Sequence, residues 1–288
     1  MILAVASGKG GTGKTTVATN LAKVRAAAGR PTQYLDCDVE EPNGHIFLKP
    51  QIDGREEVTV DVPQVDAAKC IGCGRCGQIC QYSAIVCIGD QVLTFEQLCH
   101  SCGGCRLVCP ADAIEPKPLR IGEIETGYAG PLECVSGRLE IGHVRTPALI
   151  RAVKAHIRPE TLAIVDVPPG TSCPVVAAIK GVDFVLLVTE PTPFGLSDLK
   201  LAVELVREMG LPFAVVINRD GIGTNQTQEY CEAEGIEIVA RIPDDRRIAE
   251  AYSNGIMIAD ALPDIHRQFL GLLTRMDGMR TQLHAPGR

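Results

Sequence analysis

Short apolar runs alternate with stretches of helical periodicity along most of the chain. Ile2–Ala6, Thr32–Asp36, Leu162–Val165, Phe184–Val188, Phe213–Ile217 and Ile238–Ile242 read as buried strands. Between them, Thr15–Ala28, Pro147–Ile157 and Pro193–Gly210 carry helical patterns, the first ending at Gly29–Arg30–Pro31. Strands alternating with helices predict an α/β fold with a mainly parallel sheet covered on both faces. Ile121–Ile141 reads as short strands with turns at Gly127, Gly130–Pro131 and Ser136–Gly137. In the last helix, about Asp264–Met279, Ile265, Phe269, Leu272, Leu273 and Met276 share one side. Gly271, Gly278 and the scarcity of basic residues favour docking on the core over lying on a membrane.

The texture changes between residues 60 and 118, where cysteine and glycine become dense. Val58–Pro63 and Ala113–Pro118 are predicted as outer strands of a small sheet, with Pro116 and Pro118 marking its exit. Such strands bring the two ends of the segment together, which permits insertion into a host domain. The expected organisation is a host domain over 1–59 and 119–288 and an inserted small α+β domain over 60–118.

Composition narrows the setting. A net charge of −7 argues against duplex nucleic acid as a partner. No apolar run approaches the ~18 residues of a membrane span. Ile2–Ala6 lacks the basic flank of a signal peptide, so a cytoplasmic location is expected, without membrane association. Thirteen cysteines in a reducing compartment call for a role other than disulfides.

Between the first strand and the first helix lies Ser7-Gly8-Lys9-Gly10-Gly11-Thr12-Gly13-Lys14-Thr15-Thr16. It fits G-x-x-x-x-G-K-[ST], and the strand–loop–helix context is the one that pattern requires. Glycines let backbone N–H groups converge on a polyphosphate, and the helix dipole adds positive potential. Lys14 would reach the β- and γ-phosphates and Thr15 would hold Mg²⁺. Asp166 ends an apolar strand, as an acid holding a Mg²⁺-bound water does, and is followed by Val-Pro-Pro-Gly170. Asp36 and Asp38 lie at the C-terminal end of another strand, the ligand side of an open α/β sheet, although such a turn is also rich in capping residues.

The cysteine-rich segment repeats at an offset of 29 residues: Cys70, Cys73, Cys76, Cys80, then Cys99, Cys102, Cys105, Cys109. Both runs are C-x₂-C-x₂-C-x₃-C, the spacing of bacterial two-cluster ferredoxins. There, three thiolates of one run share a cubane with the fourth of the other. Cluster 1 would take Cys70, Cys73, Cys76 and Cys109, and cluster 2 Cys99, Cys102, Cys105 and Cys80. Zinc sites use separated CxxC knuckles, which this spacing does not resemble. Gln81 replaces the proline found at Pro110, a position that only helps to start a helix. His100 reads as a solvated or sulfur-bonding side chain, since no cysteine is missing.

With Lys9 beside its first glycine, GKGGTGKTT resembles the deviant Walker A loop of the MinD/ParA/Mrp ATPases, a class that includes the nitrogenase iron protein. The whole chain resembles such an ATPase, a mainly parallel P-loop NTPase sheet covered by helices, with a ferredoxin-like domain inserted. The resemblance implies that Lys9 reaches across a dimer to the partner's ATP, unless it is merely a solvated lysine. It also implies that Asp38 positions the attacking water, that Asp36 lies near the Mg²⁺ shell, and that Asp-x-Pro-Pro-Gly is a second switch. Asn218, with Arg219 beside it and the Pro243 loop, would line the adenine, although Asn218 also suits a plain strand-end turn. The nitrogenase iron protein bridges a cluster across its dimer with two cysteines per subunit, and Cys134 and Cys173 invite that comparison. The simpler reading of both is as inert thiols, and Cys37, Cys87 and Cys231 are assigned no role.

The expected cofactors are therefore ATP, Mg²⁺ and two [4Fe-4S] clusters. The expected activity is slow ATP hydrolysis that closes a homodimer, or a heterodimer with a sister ATPase, and drives electron transfer or iron–sulfur handling with a redox partner. A positioning or assembly scaffold with structural clusters is the alternative. A nucleotide-dependent ligase is a third reading, but no sequence remains for its extra domain.

Overall fold

The computed structural model describes Met1–Leu283. Its strands are β1 (Ile2–Ala6), β2 (Thr32–Asp36), β3 (Gln51–Val65), β4 (Ile85–Ile88), β5 (Gln91–Thr94), β6 (Ile114–Ala129), β7 (Leu132–Leu139), β8 (Leu162–Asp166), β9 (Phe184–Thr189), β10 (Phe213–Asp220) and β11 (Ile238–Pro243). Nine of them form one sheet in the order β11-β10-β9-β1-β8-β2-β7-β6-β3. From β11 to β7 every neighbour is parallel; β7–β6 and β6–β3 are antiparallel.

The parallel strands are apolar throughout because both faces are covered. Along β1, Leu3 and Val5 join the core on one face and Ala4 and Ala6 the core on the other, following the two-residue period of a strand. The first face is closed by the helices Lys14–Ala27 and Pro263–Leu283. The second is closed by Thr146–Ala155, Cys173–Ile179 and Pro193–Glu208. Ile265, Phe269, Leu272, Leu273 and Met276 are all buried in the first core, so the last helix docks there, and it runs through Gly271 and Gly278 without a break. β1 lies between β8 and β9, and the loop after it opens at the C-terminal edge of the sheet, where ligands bind in open α/β folds.

Two expectations are corrected. Gly127 and Ser136–Gly137 are not turns but lie inside β6 and β7; the turn is at Gly130–Pro131 alone. These glycines serve close packing. A Cβ on Gly127 would stand 2.2 Å from the Gln51 carbonyl oxygen, and one on Gly137 would stand 2.6 Å from Val153 and 2.7 Å from Val39. The second correction concerns the cysteine unit, which has no outer strands of its own. β3 and β6 pair from Gln51↔Tyr128 to Val65↔Ile114, so one long ribbon is both the edge of the main sheet and the floor of the unit. Pro116 and Pro118 lie within this ribbon, opposite Pro63 and Asp61. Its register shifts between Val58 and Thr59, next to the pair Gly122↔Leu139 where β6 parts from β7. A bulge there bends the ribbon as it leaves the sheet. A separate hairpin, β4–β5, completes the unit.

Because the atom opposing Gly127 is backbone, it cannot swing aside. Gly127→Ala should part β3 from β6 and cost about 1–3 kcal/mol, read as a lowered melting temperature; an unchanged midpoint would contradict this packing.

Candidate nucleotide site and cysteine loops

Residues 7–13 curl at the end of β1 and deliver Gly13, at φ 90°, as N-cap of the helix Lys14–Ala27. Gly8 lies against the helix Pro193–Glu208, where a Cβ would stand 2.1 Å from the Asp198 carbonyl oxygen. Gly13 lies against Asn218, whose Nδ2 would stand 2.3 Å from a Cβ. Gly10 and Gly11 face open space, with Gly11 at φ 80°. Thr12 Oγ1 is buried with no hydrogen-bond partner. The loop is braced from outside while its open side holds unused donors, as a phosphate cradle requires.

Parallel pairing sets Asp36 beside Asp166 at the ends of β2 and β8. Both are fully buried, and Asp38 is 8% exposed. Asp36 accepts the N–H groups of Asp38 and Gly44 at 3.2 and 3.0 Å. Asp166 Oδ2 accepts the Tyr34 hydroxyl at 3.0 Å, while its Oδ1 is buried without a partner. Lys14 Nζ is 4.0 Å from Asp38 Oδ2. Burial pushes Asp38 up to about 6 against the pull of Lys14. Burial also raises Asp166, against Lys14, the Thr15 hydroxyl and Tyr34, and raises Asp36, aided by the charge on Asp166. Among the described residues Lys14 is the cation that meets these three buried acids, so ionising all three is costly. The orphaned Oδ1 of Asp166 beside Thr15 fits a cation that keeps most of its ligands as water and phosphate, as Mg²⁺ does.

The structure adds Glu190, which follows β9 and is 7% exposed. It lies 3.9 Å from Lys9 Nζ and 3.0 Å from Arg219 Nη1. Its signal was available: an apolar strand followed by an acid, as at Asp166. β10 runs past Asn218 and Arg219 to Asp220, so neither is at a strand end. Asn218 donates to the Thr12 carbonyl at 2.8 Å, which makes it a strut of the loop and leaves its Oδ1 as an acceptor. Pro243 pairs with Asp220 on the adjoining strand end. Gly170, at φ 96°, donates its N–H to the Ser7 carbonyl at 3.0 Å.

In the cysteine unit the 29-residue repeat reappears in the backbone. Gly72 and Ser101 have φ of 63° and 56°, Gly74 and Gly103 both 72°, and Ser83 and Asp112 51° and 46°. Gly74 and Gly103 each cap a short helix, Arg75–Ile79 and Gly104–Leu107. The two runs cross. Cys109 shares one cavity with Cys70, Cys73 and Cys76, and Cys80 shares another with Cys99, Cys102 and Cys105. Ala84 N–H donates to Cys80 Sγ and Ala113 N–H to Cys109 Sγ, both at 3.3 Å. Burial raises the Cys80 thiol, but N–H donors from Tyr82, Ala84 and Ile85 outweigh it and hold it below the usual thiol range. Donors aimed at sulfur favour thiolates, the form that binds metal. Among the described residues no three His, Cys, Asp or Glu side chains gather closely enough to hold a single ion by themselves. His100 stacks on Tyr82, ring centroids 3.6 Å apart.

Cys134 and Cys173 lie in different settings. Cys173 is exposed, whereas Cys134 is 5% exposed in the core beside Tyr34, its thiol pushed by burial up to about 12. Cys37 and Cys231 are likewise buried.

A family model described as the CobQ/CobB/MinD/ParA nucleotide binding domain matches residues 3–258. An uncharacterised protein of Methanocaldococcus jannaschii is 33% identical over 268 residues, 88% of this chain and 90% of that one. The iron-sulfur cluster carrier protein of Pyrococcus horikoshii is 25% identical over 89% of this chain and 78% of its own. The septum site-determining protein MinD of Pyrococcus horikoshii, solved in complex with Mg-ADP, superposes with a TM-score of 0.61 at 20% identity, covering 99% of both chains. That likeness shows the MinD-type P-loop fold.

The raised acids set a pH dependence. A carboxyl whose folded value exceeds its unfolded one binds more protons when folded, so stability falls as pH rises. For Asp38 the window runs from the unfolded 3.8 to about 6, and for Asp36 it extends to about 8, so the interval from pH 5.5 to 8 is carried mainly by Asp36, with Asp166 acting in the same sense. The nucleotide-free protein should melt lower at pH 8 than at pH 5.5. Asp166→Asn should narrow that gap and melt higher at pH 8, while losing stabilisation by MgATP. An unchanged pH profile in the variant would refute the charge crowding.

Proposed function

This chain belongs to the CobQ/CobB/MinD/ParA family of nucleotide-binding proteins, and we propose that it is an ATPase in which nucleotide-driven dimer closure gates electron transfer through two [4Fe-4S] clusters to a partner protein. The observation that carries this reading is the β3–β6 ribbon. It pairs with β7 at the edge of the ATPase sheet and continues, unbroken, under both cysteine cavities. On this reading, the ribbon carries a movement of the nucleotide site to the cysteine loops.

The chain's own groups divide the work. Backbone N–H groups from Gly8 to Gly13 cradle the phosphates, and Lys14 neutralises the β- and γ-oxygens. Thr15, Asp166 and Asp36 would hold Mg²⁺, directly or through its water, and Thr16 continues the helix N-terminus. Asp38, at about 6 before ligand arrives, orients the attacking water once charge balance returns it to the ionised form. Lys9 leaves Glu190 and reaches the nucleotide of the second subunit, a like copy or a sister ATPase. Gly170 releases Ser7 and turns toward the γ-phosphate. Asn218 Oδ1, Arg219 and Pro243 border the base. Hydrolysis here is positioning and charge neutralisation, which gives slow turnover until a partner completes the site. When bound, Mg²⁺ supplies positive charge at the phosphates and the clusters supply one-electron storage.

A second reading, iron–sulfur delivery, draws on the similarity to cluster carrier proteins. The crossed cysteine sets favour resident clusters over cargo, because each cavity is closed by a residue from the opposite run.

Anaerobic protein should hold about eight irons per chain, and Cys109→Ser about half of that. An EPR-monitored redox titration should show a cluster potential that shifts when MgATP is added. Potentials indifferent to nucleotide would overturn the gating, and zinc in place of iron would overturn the cluster assignment.

A further inference from the structure

Arg145 is 4% exposed, and it precedes the helix Thr146–Ala155 of the ATPase domain. Its guanidinium points out of that domain into the cysteine unit. Nε donates to the Cys99 carbonyl at 2.7 Å, and Nη2 donates to the Glu96 carbonyl. Nη1 meets His143 Nδ1 at 3.1 Å, and the other ring nitrogen of His143 lies 3.6 Å from Glu140. Arg145 thus has no direct carboxylate partner among the described residues. A buried guanidinium satisfied by neutral oxygens and one imidazole is costly unless negative charge arrives nearby. Cys99 belongs to the cavity it shares with Cys80, Cys102 and Cys105. A cubane held by four thiolates there carries net negative charge, more after reduction.

The next residue faces the nucleotide site. Thr146 Oγ1 donates to Glu40 Oε1 at 2.6 Å, two residues beyond Asp38. Leu139 N–H donates to the Val39 carbonyl at 2.8 Å. Val39, Val153 and Leu149 meet over Gly137 with no room for a methyl group. These contacts tie the segment after Asp38 to the start of this helix. The path runs from Lys14 to Asp38, along the chain to Glu40, across to Thr146, and through the adjoining Arg145 to Cys99.

We infer that Arg145 is a positioning residue that compensates the charge of the cluster held by Cys80, Cys99, Cys102 and Cys105, and that with Thr146 it links this cluster to the nucleotide switch at Asp38–Glu40. The inference rests on the proposed clusters and deepens the gating reading. A buried positive charge stabilises the reduced, more negative cluster and raises its potential. Any displacement of Arg145 by the switch lowers that potential.

The test is the EPR-monitored titration of full-length, iron-loaded protein, with and without MgATP, in wild type, Arg145→Gln, Arg145→Lys and Thr146→Val. In Arg145→Gln one of the two clusters should titrate at lower potential and the other should stay in place. Arg145→Lys, which keeps the charge, should restore most of that shift, an outcome a purely structural role does not give. Thr146→Val should leave the nucleotide-free potentials unchanged and weaken the response to MgATP. If Arg145→Gln titrates as wild type does, the charge role is refuted. If Thr146→Val responds fully to MgATP, the link is refuted. A wild type indifferent to MgATP would instead refute the gating reading together with the link, and the Arg145→Gln comparison would still decide the charge role. Should Arg145→Gln fail to retain iron, the Arg145→Lys titration decides: a lowered potential despite the kept charge refutes charge compensation.

Discussion

Asp36, Asp38 and Asp166 are gathered at neighbouring strand ends, with Lys14 as the one cation set against them among the described residues. Parallel register imposes the pairing of Asp36 with Asp166, and burial on both faces of the sheet removes the water that would screen it. An uncompensated cluster of this kind is unstable on its own terms. On the proposed reading, a polyphosphate with its cation restores the balance. Each neighbouring feature answers to that arrangement. Tyr34 gives up its hydroxyl to Asp166, Gly44 and Asp38 turn their N–H groups onto Asp36, and Glu190 holds Lys9 and Arg219 at the rim.

The second determinant is mechanical. A small cluster-binding unit tied to its host by two flexible linkers would swing independently of it. Here the tie is a β-ribbon whose root is part of the nine-stranded sheet, and Arg145 fastens the unit again from the side. The nucleotide pocket and the cysteine cavities are then parts of one body. This is the physical basis for reading the chain as a coupled device and not as two activities on one polypeptide.

Most of the host fold could be read from the chain, because a parallel sheet covered on both faces writes itself as uniform apolar runs. Gly13, Lys14, Asp36 and Asp166 were legible for the same reason: each sits at a junction between elements. The errors arose where local signals were ambiguous. Gly127 and Gly137 carry the residue type of a turn but are small because backbone and side chains press on them. The ribbon's root half, residues 51–57 of β3, is charged and exposed on the sheet edge and lacks alternation, so only its far half carries a strand signal. The depth of Cys134 in the core beside Tyr34 is set by the fold and is not written in the sequence. Glu190 and Arg145 were missed because their importance lies in contacts across 181 and 46 residues, which no spacing encodes.

The central claim is that nucleotide at the P-loop is felt at the cysteine loops. Amide hydrogen exchange on iron-loaded protein, with and without MgATP, tests it without assuming a partner or a potential. The account predicts altered protection in the P-loop, in Asp38–Asn43 and also in Glu96–Cys105, with little change in the buried strands β8 and β9. A response confined to the nucleotide pocket, with Glu96–Cys105 exchanging identically in both states, would contradict it.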